Sequence, residues 1–287
     1  MTVSNAYNRP EKLSPELRER ILAKADELGY GGPNVLARSL RRGKTGVLGV
    51  VLGEALTYAF EDPASVEWLR GLAGAGIALH LVPATGGVGD AALVNDAAVD
   101  AFLLYSVPDG HPLVEAVLRR RVPVVVQSGP QLDAYPFVAI DERADRPLRP
   151  DVPSHRVTRG RLQGYGVTVG REVQLNDRAH GEAAAGLLLD GPEPPTGLLC
   201  MSDELAIGAL RAAAARGITV PGQLSVVGWD DTQDGRRAGL TTVRQSLRDQ
   251  GRLCAELIAK NATGPVDPQP WELVVRDTTE GFGGSVR

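Results

Sequence analysis

The side chains with the clearest chemical potential follow short apolar segments that are typical of buried parallel strands. Ser202 and Asp203 follow the first of two such segments between residues 198 and 231, and Asp230 and Asp231 follow the second. The intervening residues have a helical apolar pattern that begins at a Ser/Asp cap and ends at Gly217. This order predicts a right-handed βαβ unit. Ligands bind at the carboxyl ends of strands in open α/β sheets, so these polar residues are candidates for ligand contact.

Further polar and aromatic residues follow the strands predicted in the first half of the chain. They are Glu54, Thr57, Tyr58, Phe60 and Asp62 after the first strand, Ser106 after the third, and Gln127 and Ser128 after the fourth. Flat aromatic faces suit a sugar ring, and amides and carboxylates suit its hydroxyls, so the set favours a small polyol or sugar. Each residue taken singly also fits an ordinary loop, and Asp230 also fits a turn cap. Their common place at one sheet edge favours binding.

Composition predicts a globular protein with two lobes. The chain has 287 residues and is 43% apolar, which is enough for a full core. Apolar runs fall short of the ~20 residues of a membrane span, and the polar N-terminus does not resemble a signal peptide. Cys200 and Cys254 are far apart in the sequence, which favours reduced core cysteines over a disulfide. We therefore expect a cytoplasmic protein that does not contact a membrane.

The charge is distributed unevenly between a head, residues 1–46, and a body, residues 47–287. The net charge is -4, yet the head has nine Lys/Arg against five Asp/Glu and carries +4. A basic head on an acidic body is compatible with contact to nucleic acid, and equally with a solvated helix and linker.

Two segments of the head have recognisable patterns. Ser14-Pro15-Glu16 predicts a helix start with Ser14 as the cap, and Gly29 predicts its end. An apolar stripe on this helix comprises Leu17, Ile21, Ala25 and Leu28.

The second segment, VLARSLRRG, is too short and polar to be a stable helix alone. Its apolar Leu36, Ala37 and Leu40 alternate with Arg38 and further cations, which suits a minor-groove element with an apolar wedge. An ordinary basic linker is the alternative.

Strand and helix patterns alternate along the body, which predicts a doubly wound α/β fold. The predicted strands are 47–53, 77–82, 101–105, 122–127 and 137–140, and the predicted helices are 63–74, 90–99 and 112–120. Residues 142–160 are rich in Arg and Pro and predict a loop. Beyond it we expect a strand at 167–173, helices at 179–189 and 247–259, and a last strand at 271–275.

Patterns that would indicate catalysis or a metal site are incomplete. Gly43-Lys44-Thr45 ends like a P-loop, but Arg38 stands where that motif needs glycine. The four histidines lack ligand spacing with each other or with cysteine, and no G-x-S-x-G elbow occurs. The sequence therefore predicts a protein that is not an enzyme and needs no cofactor or metal.

Several segments together resemble the LacI/GalR family of transcription regulators. They are TVSNAYNRP, LSPELRERILAKADELGY and PNVLARSLRRGKTGVLGVVLGE at the start, then RLQGY, CMSDELAIGAL, GITVPGQLSVVGWDDT and LTTVRQSLRDQG, in the family's order. The resemblance implies a periplasmic-binding-protein-like domain with two doubly wound lobes, preceded by an all-α helix-turn-helix head. The first lobe would comprise about 47–141 and 244–262, and the second about 142–243 and 270–278.

The resemblance also implies roles for individual residues. The DNA-reading surface would include Thr2, Ser4, Asn5 and Asn8, and the hinge segment Asn34, Ala37, Arg38 and the wedge Leu40. An effector would lie between the lobes against Glu54, Tyr58, Phe60, Ser106, Gln127, Arg161, Ser202, Asp230 and Gln245. Among these, Arg161 and Asp230 would hold vicinal hydroxyls by bidentate hydrogen bonds.

The sequence departs from the family pattern in two places. The family's head has a helix and a turn before the TVS segment, whereas Met1 here falls inside the recognition helix. This predicts either a true start about 20 residues upstream or a protein that does not read its operator normally. The second lobe is predicted to be shortened between residues 142 and 197.

The functional expectation is a ligand-responsive regulator, most often a repressor in this family. It would bind a palindromic operator in double-stranded DNA as a homodimer and respond to a sugar-like effector. The alternative is a sugar-binding sensor or vestigial module that no longer binds DNA specifically.

Overall fold

A computed structural model describes residues 2–32, 39, 43–84, 89–140, 156–161, 166–172 and 176–280. Side chains of Asn8 and of residues 156–172 lie outside this description. Two sheets organise the body, each with helices packed on it, and a helical head precedes them.

The first sheet is parallel throughout. Its strands are β1 Val47–Leu52, β2 Ala78–Pro83, β3 Ala101–Tyr105, β4 Val124–Gln127 and β5 Phe137–Val138, in the order β2-β1-β3-β4-β5. The central strands are buried on both faces, which explains their nearly continuous apolar sequences. The connecting helices are α3 Leu56–Glu61, α4 Pro63–Ala73, α5 Asp90–Asp96 and α6 Pro112–Arg119.

The second sheet is mixed. Its strands are β6 Arg156–Arg161, β7 Gly166–Glu172, β8 Gly197–Cys200, β9 Ser225–Trp229, β10 Thr241–Gln245 and β11 Trp271–Val274, in the order β11-β10-β9-β8-β6-β7. The central strands β8, β9 and β10 are parallel, and β6, β7 and β11 run antiparallel to their neighbours. Its helices are α7 Arg178–Leu189, α8 Asp203–Ala215 and α9 Gln233–Arg237. The parallel pairing of β8 and β9 around α8 confirms the predicted βαβ unit.

After β10 the chain leaves the second sheet and forms α10 Leu247–Ala259, which packs on α4 beside the first sheet. Two glycines make this contact close: a Cβ at Gly71 would lie 2.0 Å from the Arg248 carbonyl oxygen, and one at Gly251 would lie 2.3 Å from that of Trp68. Larger residues would force the helices apart. The chain then returns to the second sheet as β11, and Gln269 forms a bridge with Ile140 on the way.

The head contains α1 Thr2–Asn8, a 3-10 turn at Pro10–Lys12, and α2 Pro15–Glu27. As predicted, Ser14 caps α2 by accepting a hydrogen bond from the Leu17 amide at 3.3 Å. The apolar stripe of α2 is largely open, since Leu17 is 38% and Leu28 71% exposed and only Ala25 is buried.

The structure differs from the predicted elements in three places. Residues 56–61 form α3, a helix that was not predicted and that has no side-chain cap to indicate it. Residues 156–160 were expected in a loop but belong to β6, because Val157 pairs with both β7 and β8 and Thr158 pairs with β8 despite the surrounding Arg and Pro. Helix α5 ends at Asp96, three residues before the predicted end.

Candidate ligand-binding cleft

The carboxyl ends of the first-sheet strands carry several of the predicted site residues. Glu54 follows β1 and is partly buried, and Tyr58 lies on α3 with Phe60, whose ring is exposed. Ser106 follows β3 in the left-handed region at φ 52°. The predicted polar edge is therefore built from a helix and a tight turn rather than from open loops.

The second lobe contributes Ser202 and Asp230 at the ends of β8 and β9. Ser202 is buried and caps α8 by accepting from the Leu205 amide at 3.1 Å, while its hydroxyl donates to Asn176 Oδ1. Asp230 is partly buried at φ 103°, and its Oδ1 accepts from Gln245 Nε2 at 2.6 Å. Both side chains are held in place by specific hydrogen-bond partners.

Tyr58 and Asn176 connect the two lobes directly. The phenol of Tyr58 donates to the Asn176 carbonyl oxygen at 3.3 Å, and the Asn176 side chain also accepts from Ser202. Tyr58 and Ser202, predicted independently, are thus joined through one residue that the sequence reasoning did not name. We call the region between α3 and the ends of β8 and β9 the cleft.

Nearby acidic side chains affect the pKa values of Tyr58 and Tyr105. Burial raises the pKa of Tyr58, and the charges of Asp62 and Glu54 raise it further. Burial likewise raises the pKa of Tyr105, with added effects of Asp62 and Asp230. Both phenols therefore remain protonated donors at neutral pH.

Burial and neighbouring charges also raise the pKa values of Asp230 and Asp62. Burial raises the pKa of Asp230 well above its usual value, and the nearby charges of Asp203 and Asp62 act in the same direction. Burial also raises the pKa of Asp62, although hydrogen bonds from Ser65 oppose the shift. The cleft thus combines phenol donors with carboxylate acceptors, a set that can pair with a ligand's hydroxyl groups.

Gln127 does not lie on the cleft wall as expected. Its side chain is fully buried, its Oε1 accepts from Trp68 Nε1, and its Nε2 donates to Gln250 Oε1 at 2.7 Å. We correct the prediction of direct effector contact for this residue, because the last residue of β4 points into the core under α10. Gln245 is the residue of this group that reaches Asp230.

Arg161 ends β6, where it pairs with Gly166, and its side chain lies outside the described part of the molecule. Its predicted contact with an effector stays a prediction.

The family resemblance singled out Asp230, the first of the two aspartates after β9, and the structure gives Asp231 a different role. Asp231 has a fully buried side chain that forms ion pairs with Arg236, Arg244 and Arg276 at 3.1, 2.6 and 2.6 Å. Burial alone would raise its pKa, but the bonds from Arg244 and Arg276 lower it below the usual value. Asp231 therefore holds the second lobe together, and only Asp230 faces the cleft.

Asp203 also serves the second lobe. Its carboxylate accepts from the Thr232 amide at 2.6 Å, the Thr232 hydroxyl at 3.0 Å and the Thr242 hydroxyl at 2.6 Å. Few acceptor positions remain for a ligand, so this residue orients the loop that carries Asp230.

The predicted DNA-reading residues Thr2, Ser4, Asn5 and Asn8 all lie on α1. Helix α1 is held against α2 by Arg18, whose Nε donates to the Ala6 carbonyl oxygen at 3.2 Å. Tyr7 adds an edge contact with the ring of Tyr30, at 6.1 Å between centroids. The predicted hinge residues Asn34, Ala37, Arg38 and Leu40 lie outside the described residues.

Asp100 binds the residues that lead into β1. Its carboxylate accepts from the Thr45 amide, the Thr45 hydroxyl and the Gly46 amide at 2.7, 2.9 and 2.8 Å. The chain therefore enters β1 from a fixed point.

Within the described ranges, no three His, Cys, Asp or Glu side chains are grouped to hold a metal ion. The helices of the same ranges include none with the length and apolar content of a membrane span. Cys200 and Cys254 are both buried and free, as expected.

Comparison with known proteins supplies the class. Residues 141–279 match the family model described as a periplasmic binding protein-like domain. HTH-type transcriptional regulator Rv3575c of Mycobacterium tuberculosis is 37% identical, over 90% of this chain and 86% of its own. The crystal structure of a LacI-family transcriptional regulator from Corynebacterium glutamicum is 30% identical, covers 97% of this chain and 95% of its own, and superposes with a TM-score of 0.69.

The fold extends to a more distant structure. The lac repressor dimer bound to operator and the anti-inducer ONPF has a TM-score of 0.73 at 21% identity, over 98% of this chain and 95% of its own. The chain belongs to the LacI family of HTH-type transcriptional regulators, with a two-lobed periplasmic-binding-protein-like domain.

Proposed function

We propose that this regulator binds a pseudo-palindromic operator as a homodimer and changes its affinity for DNA when a sugar or related polyol enters the cleft. The observation that carries the effector assignment is the junction of Tyr58, Asn176 and Ser202 beside Asp230, where donors and acceptors of both lobes converge. A ligand that binds both lobes would change their relative angle and, through it, the hinge.

The effector class follows from the side chains at the cleft. Asp230 offers a carboxyl group whose Oδ1 is bonded to Gln245, Tyr58 offers a phenol, and Phe60 offers an exposed ring. Carboxylates pair with vicinal hydroxyls, and ring faces cover the apolar side of a sugar.

A thermal-shift screen against monosaccharides, disaccharides and cyclic polyols tests this class directly. A ligand that binds only the native state raises the unfolding midpoint in proportion to its concentration above Kd. The same ligand should lose its effect on Asp230→Leu and keep it on Asp249→Leu, an exposed acid on α10. A panel in which no polyol shifts the midpoint contradicts the effector assignment.

The DNA assignment rests on the four polar residues of α1 and on the basic segment that includes Leu40. Leu40→Ala should weaken specific operator binding by about 1–3 kcal/mol, because the minor-groove wedge is lost, while nonspecific binding stays similar. Fluorescence anisotropy with operator and scrambled duplexes at one salt concentration measures both affinities. An unchanged ratio of the two would remove Leu40 from the hinge.

The second candidate is a polyol-binding module that does not read DNA specifically. The open apolar stripe of α2, with Leu17 and Leu28 exposed, is the observation that favours it. A thermal shift with a polyol but equal affinity for operator and scrambled DNA would support this candidate.

A further inference from the structure

A continuous chain of side-chain hydrogen bonds runs from the core of the first lobe to Asp230 in the cleft. Trp68 Nε1 donates to Gln127 Oε1, and Gln127 Nε2 donates to Gln250 Oε1 at 2.7 Å. Gln250 Nε2 then donates to Gln245 Oε1 at 3.3 Å, and Gln245 Nε2 donates to Asp230 Oδ1 at 2.6 Å. We call these five residues the amide relay.

The chemistry at the Trp68 end fixes the direction of the amide relay. An indole N–H can only donate. Gln127 must therefore present its oxygen to Trp68, which leaves its amide nitrogen for Gln250, and the same constraint passes to Gln245. The bond from Gln245 Nε2 to Asp230 Oδ1 has the orientation that this constraint requires.

A second donor strengthens this assignment. The thiol of Cys254 also donates to Gln127 Oε1, at 3.2 Å, so two donors converge on the oxygen. Flipping the Gln127 amide would turn its nitrogen toward two donors and break the bond to Gln250. Since Trp68, Gln127 and Gln250 are all buried, water cannot easily replace a lost partner.

The relay ends at the helix pair that is most closely packed in the first lobe. Trp68 lies on α4 and is stacked on Tyr105 at 3.9 Å between centroids, and Gln250 and Cys254 lie on α10. Gly71 and Gly251 let the backbones of these helices touch. A change at Asp230 therefore has a directed path to a pair of helices that cannot adjust by small independent shifts.

We propose that the amide relay transmits the state of the Asp230 carboxylate to the α4–α10 pair, and that Gln127, Gln250 and Gln245 are its positioning residues. Bonds to a charged acceptor are stronger than neutral ones, and each bond in a chain polarises the next. A ligand hydroxyl that engages Asp230 competes for this charge. That last step rests on the proposed function, whereas the relay itself does not.

The test uses the indole Nε1–H signals of the full chain labelled with 15N-tryptophan. The chain has three tryptophans, and Trp68→Phe identifies the signal of Trp68. Asp230→Asn removes the charge but keeps an acceptor oxygen, so the Trp68 indole proton should move to lower frequency as its hydrogen bond weakens. The signal of Trp229, which precedes Asp230 in the sequence, should respond in any case and reports that the variant is folded.

A double-variant cycle then separates the relay from a direct effect of charge. Gln250→Met matches the side chain in length and removes both bonds, and Gln250→Glu keeps the acceptor for Gln127 but loses the donor to Gln245. In either background, Asp230→Asn should move the Trp68 signal by less than half as much as in the parent. The exposed Gln131→Met is the matched control and should leave the full shift.

Two results would overturn the relay. A shift of full size in both Gln250 backgrounds would mean that charge acts through Tyr105 or through space. If Asp230→Asn does not move the Trp68 signal, the state of the Asp230 carboxyl does not affect α4. Neither result requires a ligand or DNA, so the proposed function would stand, and a failed polyol screen would leave the relay in place.

Discussion

The two lobes bury their polar groups by different means. In the first lobe, neutral amides and an indole form the amide relay between α4 and α10. In the second lobe, the buried Asp231 carboxylate pairs with three arginines from α9, β10 and the segment after β11. In a chain of amides, the orientation of each group depends on its neighbours, so a change at one end affects the others. A carboxylate held by several ion pairs keeps its place when one contact changes.

Two neighbouring residues show the difference most clearly. Asp230 and Asp231 both have positive φ, at 103° and 52°, and their side chains diverge. One ends the amide relay and has a raised pKa, and the other is at the centre of the arginines and has a lowered pKa. The amide relay and the arginine cluster therefore meet at two consecutive residues of the chain.

The largest expected effect on stability is at Asp231 in the second lobe. Asp231→Ala leaves three arginines without their common partner, so the free energy of unfolding should fall by about 3 kcal/mol. Urea unfolding followed by circular dichroism measures it. The control, Asp249→Ala, breaks an exposed pair with Arg252 and should cost no more than about 0.5 kcal/mol. Equal losses for the two variants would contradict the central role of Asp231.

A smaller effect is expected at the helix contact of the first lobe. Gly71→Ala places a methyl group against the Arg248 backbone and should cost about 1–3 kcal/mol, because α4 and α10 must separate. The loss should not depend on salt, since no charge is involved. Gly31→Ala, where a Cβ would meet open space, is the matched control. If Gly71→Ala is as stable as the native protein, α4 and α10 can adjust to a larger side chain, and the claim of a rigid contact between them is wrong.

The smallest expected effect has the opposite sign. Folding raises the pKa of Asp230 above its unfolded value of about 3.9. The stability that Asp230 contributes is therefore fully present below about pH 3.9, and it is lost as the pH rises through the folded pKa. Asp230→Asn should therefore raise the free energy of unfolding at pH 7 and leave it unchanged near pH 3. Asp231 should behave inversely: its contribution is present above about pH 3.9 and is lost as pH falls through its lowered folded pKa. Thermal unfolding of Asp230→Asn and Asp231→Ala between pH 3 and pH 7 checks the direction of both effects. If Asp230→Asn is less stable than the native protein at pH 7, the pKa of Asp230 is not raised by folding.

Much of the framework was predictable because its signals are local. Helix α10 has the predicted bounds, α4 begins at the predicted Pro63, and α8 begins after the predicted cap Ser202. Helix α3 was missed because its N-cap residue, Ala55, makes no side-chain bond and only Ala59 is buried. The arginines around β6 concealed a strand that pairs with β7, the next strand along the chain, and with β8 about 40 residues further on.

The candidate site was predictable only in part. The strand-end rule and the family resemblance located Tyr58, Ser202 and Asp230, but they also placed Gln127 in the cleft, and it is buried in the core. The amide relay joins residues separated by 59 and 123 positions, so no local pattern could indicate it. The resemblance chose Asp230 over Asp231, but the ion pairs of Asp231 with Arg236, Arg244 and Arg276 could not be predicted from the sequence.

The most direct test of the whole account is operator affinity measured by anisotropy while the ligand from the thermal-shift screen is titrated. We predict that saturating ligand changes the operator Kd of the native protein by roughly 5- to 150-fold, the usual range of allosteric coupling. Asp230→Leu should bind operator normally and show no change with ligand. If that variant responds to the ligand as the native protein does, or if the native operator Kd is unchanged by a ligand that raises the unfolding midpoint, the cleft does not control DNA binding.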